Sequence, residues 1–346
     1  MTLWMRTIPL IVLAVVQPAA APARPTSDPL DATGPVNPVA ASPLRGVTVL
    51  TGDPAATHRF FIDAMGMTAT PAEPVPVAQV RSIGLRGSLR AVTYRRSASG
   101  DAATVRAIAV SATLPVFRPR HDALASGGLA MGMPVHGQAA REARVTRAGF
   151  RSAVGVTRMT LPRPGGTPYT VEEIHYQAPD GVLVLGIDRG DMKPVGPVDA
   201  ASGIGGPAYS SIVVADLDGT ARFLKSVLGY EMRRNAAFTS AGSKGGLGLP
   251  DGTRFAFQQW FAPGSATGYV IVMKMLDRPV VRTSRAPRRG IAMWSFDIAD
   301  LAAAETRAKS IGARIASRPT PAAPSLVLAM PDGFLVELTA RKGTGS

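Results

Sequence analysis

Apolar and polar positions along this chain repeat one arrangement four times. It is clearest at residues 210–232, SSIVVADLDGTARFLKSVLGYEM. Ile212, Val213 and Val214 are β-branched and suit a buried, pleated strand. Asp216 or Asp218 can then cap a helix by accepting from a free amide of its first turn. Ala221, Leu224, Val227 and Leu228 recur at helical spacing with Phe223 beside them, so one face is apolar. Gly229 supplies the permissive backbone of a helix C-terminus. Burial of such a face contributes about 1.5–3 kcal/mol per large apolar side chain, so the helix must pack on a sheet.

The first copy opens with RGVTVLTGD at 45–53 as a strand and a helix over 54–65 carrying Phe60 and Phe61, ended by Gly66. Strands are expected at 75–83, 89–95 and 104–112. The second copy starts near Leu129. Its strand LAMGMPVHG is poor by propensity, with two glycines and a proline. A helix over 138–148, closed by Gly149, and strands at 153–161, 169–177 and 182–187 complete it. The third copy adds strands at 231–238, 253–260 and 269–275. The fourth has the strand AMWSFDIAD, a helix over 301–311 stopped by Gly312, and strands at 314–317, 325–330 and 334–340. Pro179-Asp180-Gly181 and Pro331-Asp332-Gly333 read as turns, where proline fixes φ and glycine tolerates positive φ.

Each copy is thus a βαβββ module with one bare sheet face, and modules must pair to close a core. The expected fold is α+β: four modules paired into two open eight-stranded cups with helices on the outside. Residues 188–207, dense in Gly, Pro and Asp, read as a linker. That position pairs modules one and two as a first domain (44–187) and modules three and four as a second (208–341).

The chain has 346 residues and no cysteine, which suits two domains and excludes disulfides, thiolate metal sites and cysteine nucleophiles. Arg6, the short apolar run 8–16 and the small residues Ala19 to Ala23 read as a signal peptide over 1–23, too short to span a bilayer as a mature helix. A retained membrane anchor is the alternative. Residues 24–43 read as a disordered leader, rich in Pro, Ala, Ser and Asp, and 342–346 as a tail. The expected location is periplasmic or secreted. The formal charge is +14, but the arginines are scattered and aromatics are 6%. That balance points away from nucleic acid and toward anionic surfaces or anionic small molecules. The densest basic run, RAPRRG at 285–290, reads as a solvated loop.

The segments IVVADLDGTARFLKSVLGY at 212–230 and MPDGFLVEL at 330–338, with weaker echoes in FFIDAMGM at 60–67 and APDGVLVLGI at 178–187, resemble the vicinal oxygen chelate superfamily of glyoxalase I, extradiol dioxygenases and bleomycin-resistance proteins. The resemblance implies paired βαβββ modules curled into open cups. In the metal enzymes it implies a ligand, often His, on a module's first strand and a Glu on its last. The first-strand positions here are Gly46, Ala130, Tyr209 and Met293. The last-strand positions are Leu185, Glu337 and, in module three, Met273 or Lys274. Glu337 is the one family-type ligand among them, and a metal site needs three or four donors. No cofactor is therefore expected.

Strand alternation sorts side chains between cup and helix layer. Tyr209, Ser211, Ser295, Asp297 and Glu337 are expected to line a polar second cup, and Gly46, Thr48, Ala130, Gly132, Leu183 and Leu185 a largely apolar first one. The candidate catalytic residues are Glu337, Asp297 and Tyr209. Two carboxylates sharing a cavity raise at least one pKa, as acid–base chemistry needs, although each could equally be paired with arginine or backbone. The candidate ligand-binding residues are Ser211, Ser295, Gln258 and His175. Of Gln258 and Gln259 one must face the cup. Glu173, His175 and Gln177 share a strand face, which reads either as an exposed polar face or as a carboxylate-oriented imidazole. Three functions follow: an exported protein binding a small aromatic or anionic molecule in the second cup, a metal-independent lyase or isomerase using Glu337 with Asp297 or Tyr209, and an envelope interaction module with filled cups.

Overall fold

The computed structural model describes residues 28–30, 37, 39–96, 103–161, 166–242, 246–281 and 286–341. The expected signal peptide, most of the leader, Arg285 and the tail lie outside the described residues.

Module one comprises β1 (Gly46–Thr51), α1 (Pro54–Arg59) continued by one π-helical stretch (Phe60–Ala64), β2 (Thr68–Ala69), β3 (Glu73–Pro74), α2 (Val77–Ser82), β4 (Arg90–Arg95) and β5 (Thr104–Ala109). Module two comprises β6 (Gly127–Pro134), α3 (Gln138–Arg147), β7 (Arg151–Ser152), β8 (Thr157–Leu161), β9 (Tyr169–Gln177) and β10 (Leu183–Asp188). Module three comprises β11 (Tyr209–Val213), α4 (Leu217–Ser226), β12 (Glu231–Ala241), β13 (Asp251–Phe261) and β14 (Tyr269–Met275). Module four comprises β15 (Gly290–Ile298), α5 (Leu301–Ser310), β16 (Arg314–Ser317), β17 (Ser325–Ala329) and β18 (Leu335–Ala340). The caps act as their sequence implies. Asp216 and Asp300 accept from the Gly219 and Ala303 amides at 2.9 and 3.0 Å, and Gly229 and Gly312 take positive φ after their helices.

The four modules form two mixed nine-stranded sheets, and the pairing differs from the expected one. One sheet runs β16-β17-β18-β15-β1-β5-β4-β2 and joins module four to module one. The other runs β12-β13-β14-β11-β6-β10-β9-β7 and joins module three to module two. The seams are antiparallel: β1 pairs β15 with Gly46 opposite Ser295, and β6 pairs β11 with Ala130 opposite Ser211. Residues 188–207 therefore connect two modules of one sheet rather than two domains. Modules one and two, adjacent in sequence, meet through their helices instead. The Arg141 guanidinium donates to the Ala64 carbonyl at 2.9 Å.

Side chains on the helix-covered faces of both sheets join one shared core, including Phe60, Met131, Ile174, Phe223, Trp294 and Leu338. The opposite faces carry two separate clusters, one per cup. The glycines that make β6 a poor strand by propensity are required by close approach. A Cβ on Gly128 would lie 2.5 Å from the Ile291 carbonyl oxygen, and one on Gly132 would lie 2.0 Å from the Tyr209 ring.

Two expectations for local structure are corrected. The strand expected over 75–83 is helix α2, because Pro76 starts a helix and Val80 and Ile83 recur at helical spacing toward the core. The leader is ordered where it is described. Ala40 and Ala41 are buried, Asp28 and Leu30 are buried against module two, and the Ala41 amide donates to the Leu228 carbonyl at 2.8 Å. Among the described residues no helix is long and apolar enough to cross a membrane.

Candidate functional site

The corrected pairing redistributes the expected site residues. Ser295, Asp297 and Glu337 lie in the cup of modules one and four. Tyr209, Ser211 and His175 lie in the cup of modules two and three. Tyr209 therefore cannot act together with Glu337.

The cup of modules one and four is occupied in part by its own chain. Helix α2 enters it, and Val80 and Ile83 pack against Leu50, Ile108, Met293 and Leu335. Glu337 has a full set of partners: Gln79 Nε2 donates to its Oε1 at 2.7 Å, and the Ser325 and Ser295 hydroxyls donate at 3.0 and 2.9 Å. Arg106 donates to Gln79 Oε1 at 2.5 Å. Burial lowers the pKa of that guanidinium, partly offset by the charges of Glu337 and Glu73. Asp297 is ion-paired at 3.1 Å with Arg45, itself half exposed.

The cup of modules two and three is open. It holds a cavity of about 660 Å³. Apolar walls come from Phe238, Phe255, Phe257, Leu185, Ile271 and Met273, among others. Phe238 meets Phe255 and Phe257 at centroid distances of 5.9 and 5.4 Å. Tyr209 stacks on Tyr269 at 5.0 Å, and Tyr269 on Phe261 at 4.5 Å. The chain thus supplies flat, rigid apolar surface to the space.

The polar groups converge on β9 and β13. Alternation on β9 sends Val171, Glu173 and His175 into the cup and Ile174 and Tyr176 into the shared core. His175 Nε2 hydrogen-bonds Glu173 Oε1. Of the two readings of this strand face, the oriented imidazole is the one observed, with the His175 side chain 3% exposed. Burial pushes the imidazole pKa down. The Glu173 charge, the Glu173 hydrogen bond and the Gly246 backbone more than offset it, and the net shift is upward. Nδ1 lies against the Gly246 backbone, outside hydrogen-bond alignment. Gln259, 8% exposed, also faces the cup, and its side-chain carbonyl has no protein partner among the described residues. Gln258, the amide expected there, points to the other face and accepts from the Trp260 indole at 3.1 Å. Tyr209 is pushed well above the usual phenol value, by burial first and then by Glu173 and Tyr269, so it remains a neutral donor.

The other histidines stand apart. His58 lies against the Tyr94 ring, His121 Nε2 bonds the Ala178 carbonyl at 3.1 Å, and His136 is 3.8 Å from Asp188. Among the described residues no group of three or more His, Asp or Glu side chains could hold a metal ion. In the cup of modules one and four the first- and last-strand residues paired by register are Thr48 with Arg106 and Ser295 with Glu337. A guanidinium there repels a cation. In the open cup the corresponding pairs are Gly132 with Leu185 and Ser211 with Ile271. A divalent cation does not fit either set.

Residues 211–339 match a family model described as a glyoxalase-like domain. That segment spans modules three and four, which belong to different sheets. No curated protein sequence matches the chain. Among solved structures it is similar to glyoxalase I from Zea mays, at 15% identity with TM-score 0.59, covering 86% of this chain and 92% of the maize protein. It is also similar to a Bacillus subtilis protein assigned as a dioxygenase, at 12% identity with TM-score 0.53, covering 87% and 86%. At these identities the likeness is one of fold.

Proposed function

We propose that this chain, whose fold is that of the vicinal oxygen chelate superfamily and whose residues 211–339 match a glyoxalase-like domain, binds a small organic molecule in the cup of modules two and three without a metal ion. The observation that carries this is an aromatic-walled space of about 660 Å³ into which Gln259 presents a buried side-chain carbonyl that has no protein partner among the described residues. Buried polar atoms are normally satisfied. A ligand with an apolar body and a hydrogen-bond donor would satisfy that carbonyl. The basic composition favours an aromatic or anionic compound. Export belongs to the same proposal and rests on the sequence of residues 1–23.

A second reading, a metal-independent lyase or isomerase, is favoured by the His175–Glu173 pair rather than by Glu337. An imidazole oriented by a carboxylate has the form of a general base. Tyr209, which lines the same cavity, could donate to a substrate oxygen.

The test is a fluorescence titration of the neutral dye N-phenylnaphthylamine into protein dialysed against a chelator. Saturable binding that is unchanged by chelator and lost in Ser211→Trp, which fills the cup, is expected. Stoichiometric tightly bound metal, or dye binding unaffected by Ser211→Trp in a folded protein, would contradict the proposal.

A further inference from the structure

The wall of the open cup carries a buried cation whose partner comes from outside the cup. Arg189 is 5% exposed and lines the cavity. Its NH1 donates to the Lys193 carbonyl at 2.7 Å, and its NH2 donates to the Tyr169 hydroxyl at 3.1 Å, both within or just after module two. The guanidinium also lies 5.1 Å from the centroid of the Tyr169 ring. All of these partners are neutral. Among the described residues the one carboxylate that Arg189 touches is Asp28, 161 positions earlier in the chain and ahead of the first module. Leu30 follows it into the same apolar cluster, and its amide donates to Asp28 Oδ1 at 3.0 Å.

Counting the charges that line the cavity shows what Asp28 does. Arg158, Arg189 and Arg234 face Glu173 and Asp28. Glu173 is held by His175 and Arg158 by Glu172, on the rim. Without Asp28 the cup itself offers no carboxylate to Arg189. An unpaired buried charge is strongly unfavourable, so the seat must be occupied by an acid from somewhere. Arginine is suited to that task, because its planar fork bonds two oxygens of a carboxylate or sulfonate at once. The Tyr169 hydroxyl, which accepts from Arg189, keeps its own proton free for the same acid.

We infer that Arg189 is the anion seat of the cup, and that Asp28 occupies it as an internal stand-in for the carboxylate or sulfonate head of an aromatic ligand. Residues 28–30 then act as a competitive strap. Ligand binding exchanges one acid for another on the same guanidinium, while the aromatic body enters the cavity lined by the Phe238 cluster and Tyr209. This inference rests on the proposed binding function and adds the ligand's charge and the element that competes with it.

The test compares two dyes with the same aromatic body, the anionic anilinonaphthalene sulfonate and the neutral N-phenylnaphthylamine, on the full chain. Asp28→Asn keeps the bond to the Leu30 amide but removes the charge. It should tighten the anionic dye about tenfold, the size of one charge-assisted hydrogen bond, and leave the neutral dye nearly unchanged. Arg189→Gln should abolish that preference, and in the double variant Asp28→Asn should give no gain. Arg189→Lys, which keeps the charge but not the fork, should retain part of the preference and guards against a loss caused by misfolding. Equal tightening of both dyes by Asp28→Asn, no tightening of the anionic dye, or a gain that survives Arg189→Gln would each overturn the anion seat. A neutral dye that binds none of the proteins contradicts the binding function itself.

Discussion

Gln79 Nε2 donates to Glu337 Oε1 across 2.7 Å, joining a helix of the first module to the last strand of the fourth. The contact lies in one of the two cups. It also places the best family-type ligand of the sequence inside a hydrogen-bonded network in which Arg106 supplies the positive charge through Gln79. Glu337 is thereby given a structural task.

Glu337→Ala should lower the unfolding free energy by about 1–3 kcal/mol, because Gln79, Ser295 and Ser325 lose their acceptor in a largely enclosed site. Dye affinity in the other cup should not change. Urea denaturation and fluorescence titration of the same variant check both halves. Loss of dye binding at unchanged stability would assign Glu337 to the binding site instead.

Gly132 is the platform on which the Tyr209 ring rests. Gly132→Ala places a methyl group within 2.0 Å of that ring, so Tyr209 must move into the cavity. The expected outcome is a loss of about 1–3 kcal/mol from overpacking, together with weakened dye binding. A variant of wild-type stability and affinity would show that the ring is not fixed there.

The His175–Glu173 pair sets a pH dependence whose sign follows from the raised imidazole pKa. A folded-state value above the unfolded one gives a stabilisation that is complete below about pH 6.5, the ordinary histidine value. It is lost as pH rises through the higher folded value. The stability difference between wild type and His175→Gln, from urea unfolding at a series of pH values, should therefore be largest at acid pH and shrink as pH rises. A difference that grows with pH would reverse the assignment.

Much of this architecture is legible in the chain because three of the four modules announce their first helix with an acidic cap and every module follows it with a glycine. Asp216, Gly229, Asp300 and Gly312 did that work, and alternation placed Tyr209, Ser211, Met293 and Leu335 on their cup faces. Which module pairs with which was not legible. All four first strands present similar apolar edges, and a twenty-residue connection such as 188–207 reaches a neighbour in the same sheet as readily as it separates two domains. Helix α2 was hidden because Val75, Val77 and Gln79 alternate like a strand, while the helical spacing of Val80 and Ile83 spans a single turn. The amide facing the cup turned on a parity of one residue, and β13 sends Gln259 inward and Gln258 outward. Arg189 lay in the presumed linker, and its partner Asp28 in a segment whose composition reads as disordered, so neither carried a local signal.

The most direct measurement is crystallographic: an anomalous difference map from crystals of the full chain soaked with a bromonaphthalene sulfonate. Bromine density in the cavity lined by Phe238 and Tyr209, with the sulfonate on Arg189 and Asp28 displaced, is the expected result. Density confined to the cup of modules one and four, beside Glu337, would contradict the assignment of function to the cup of modules two and three.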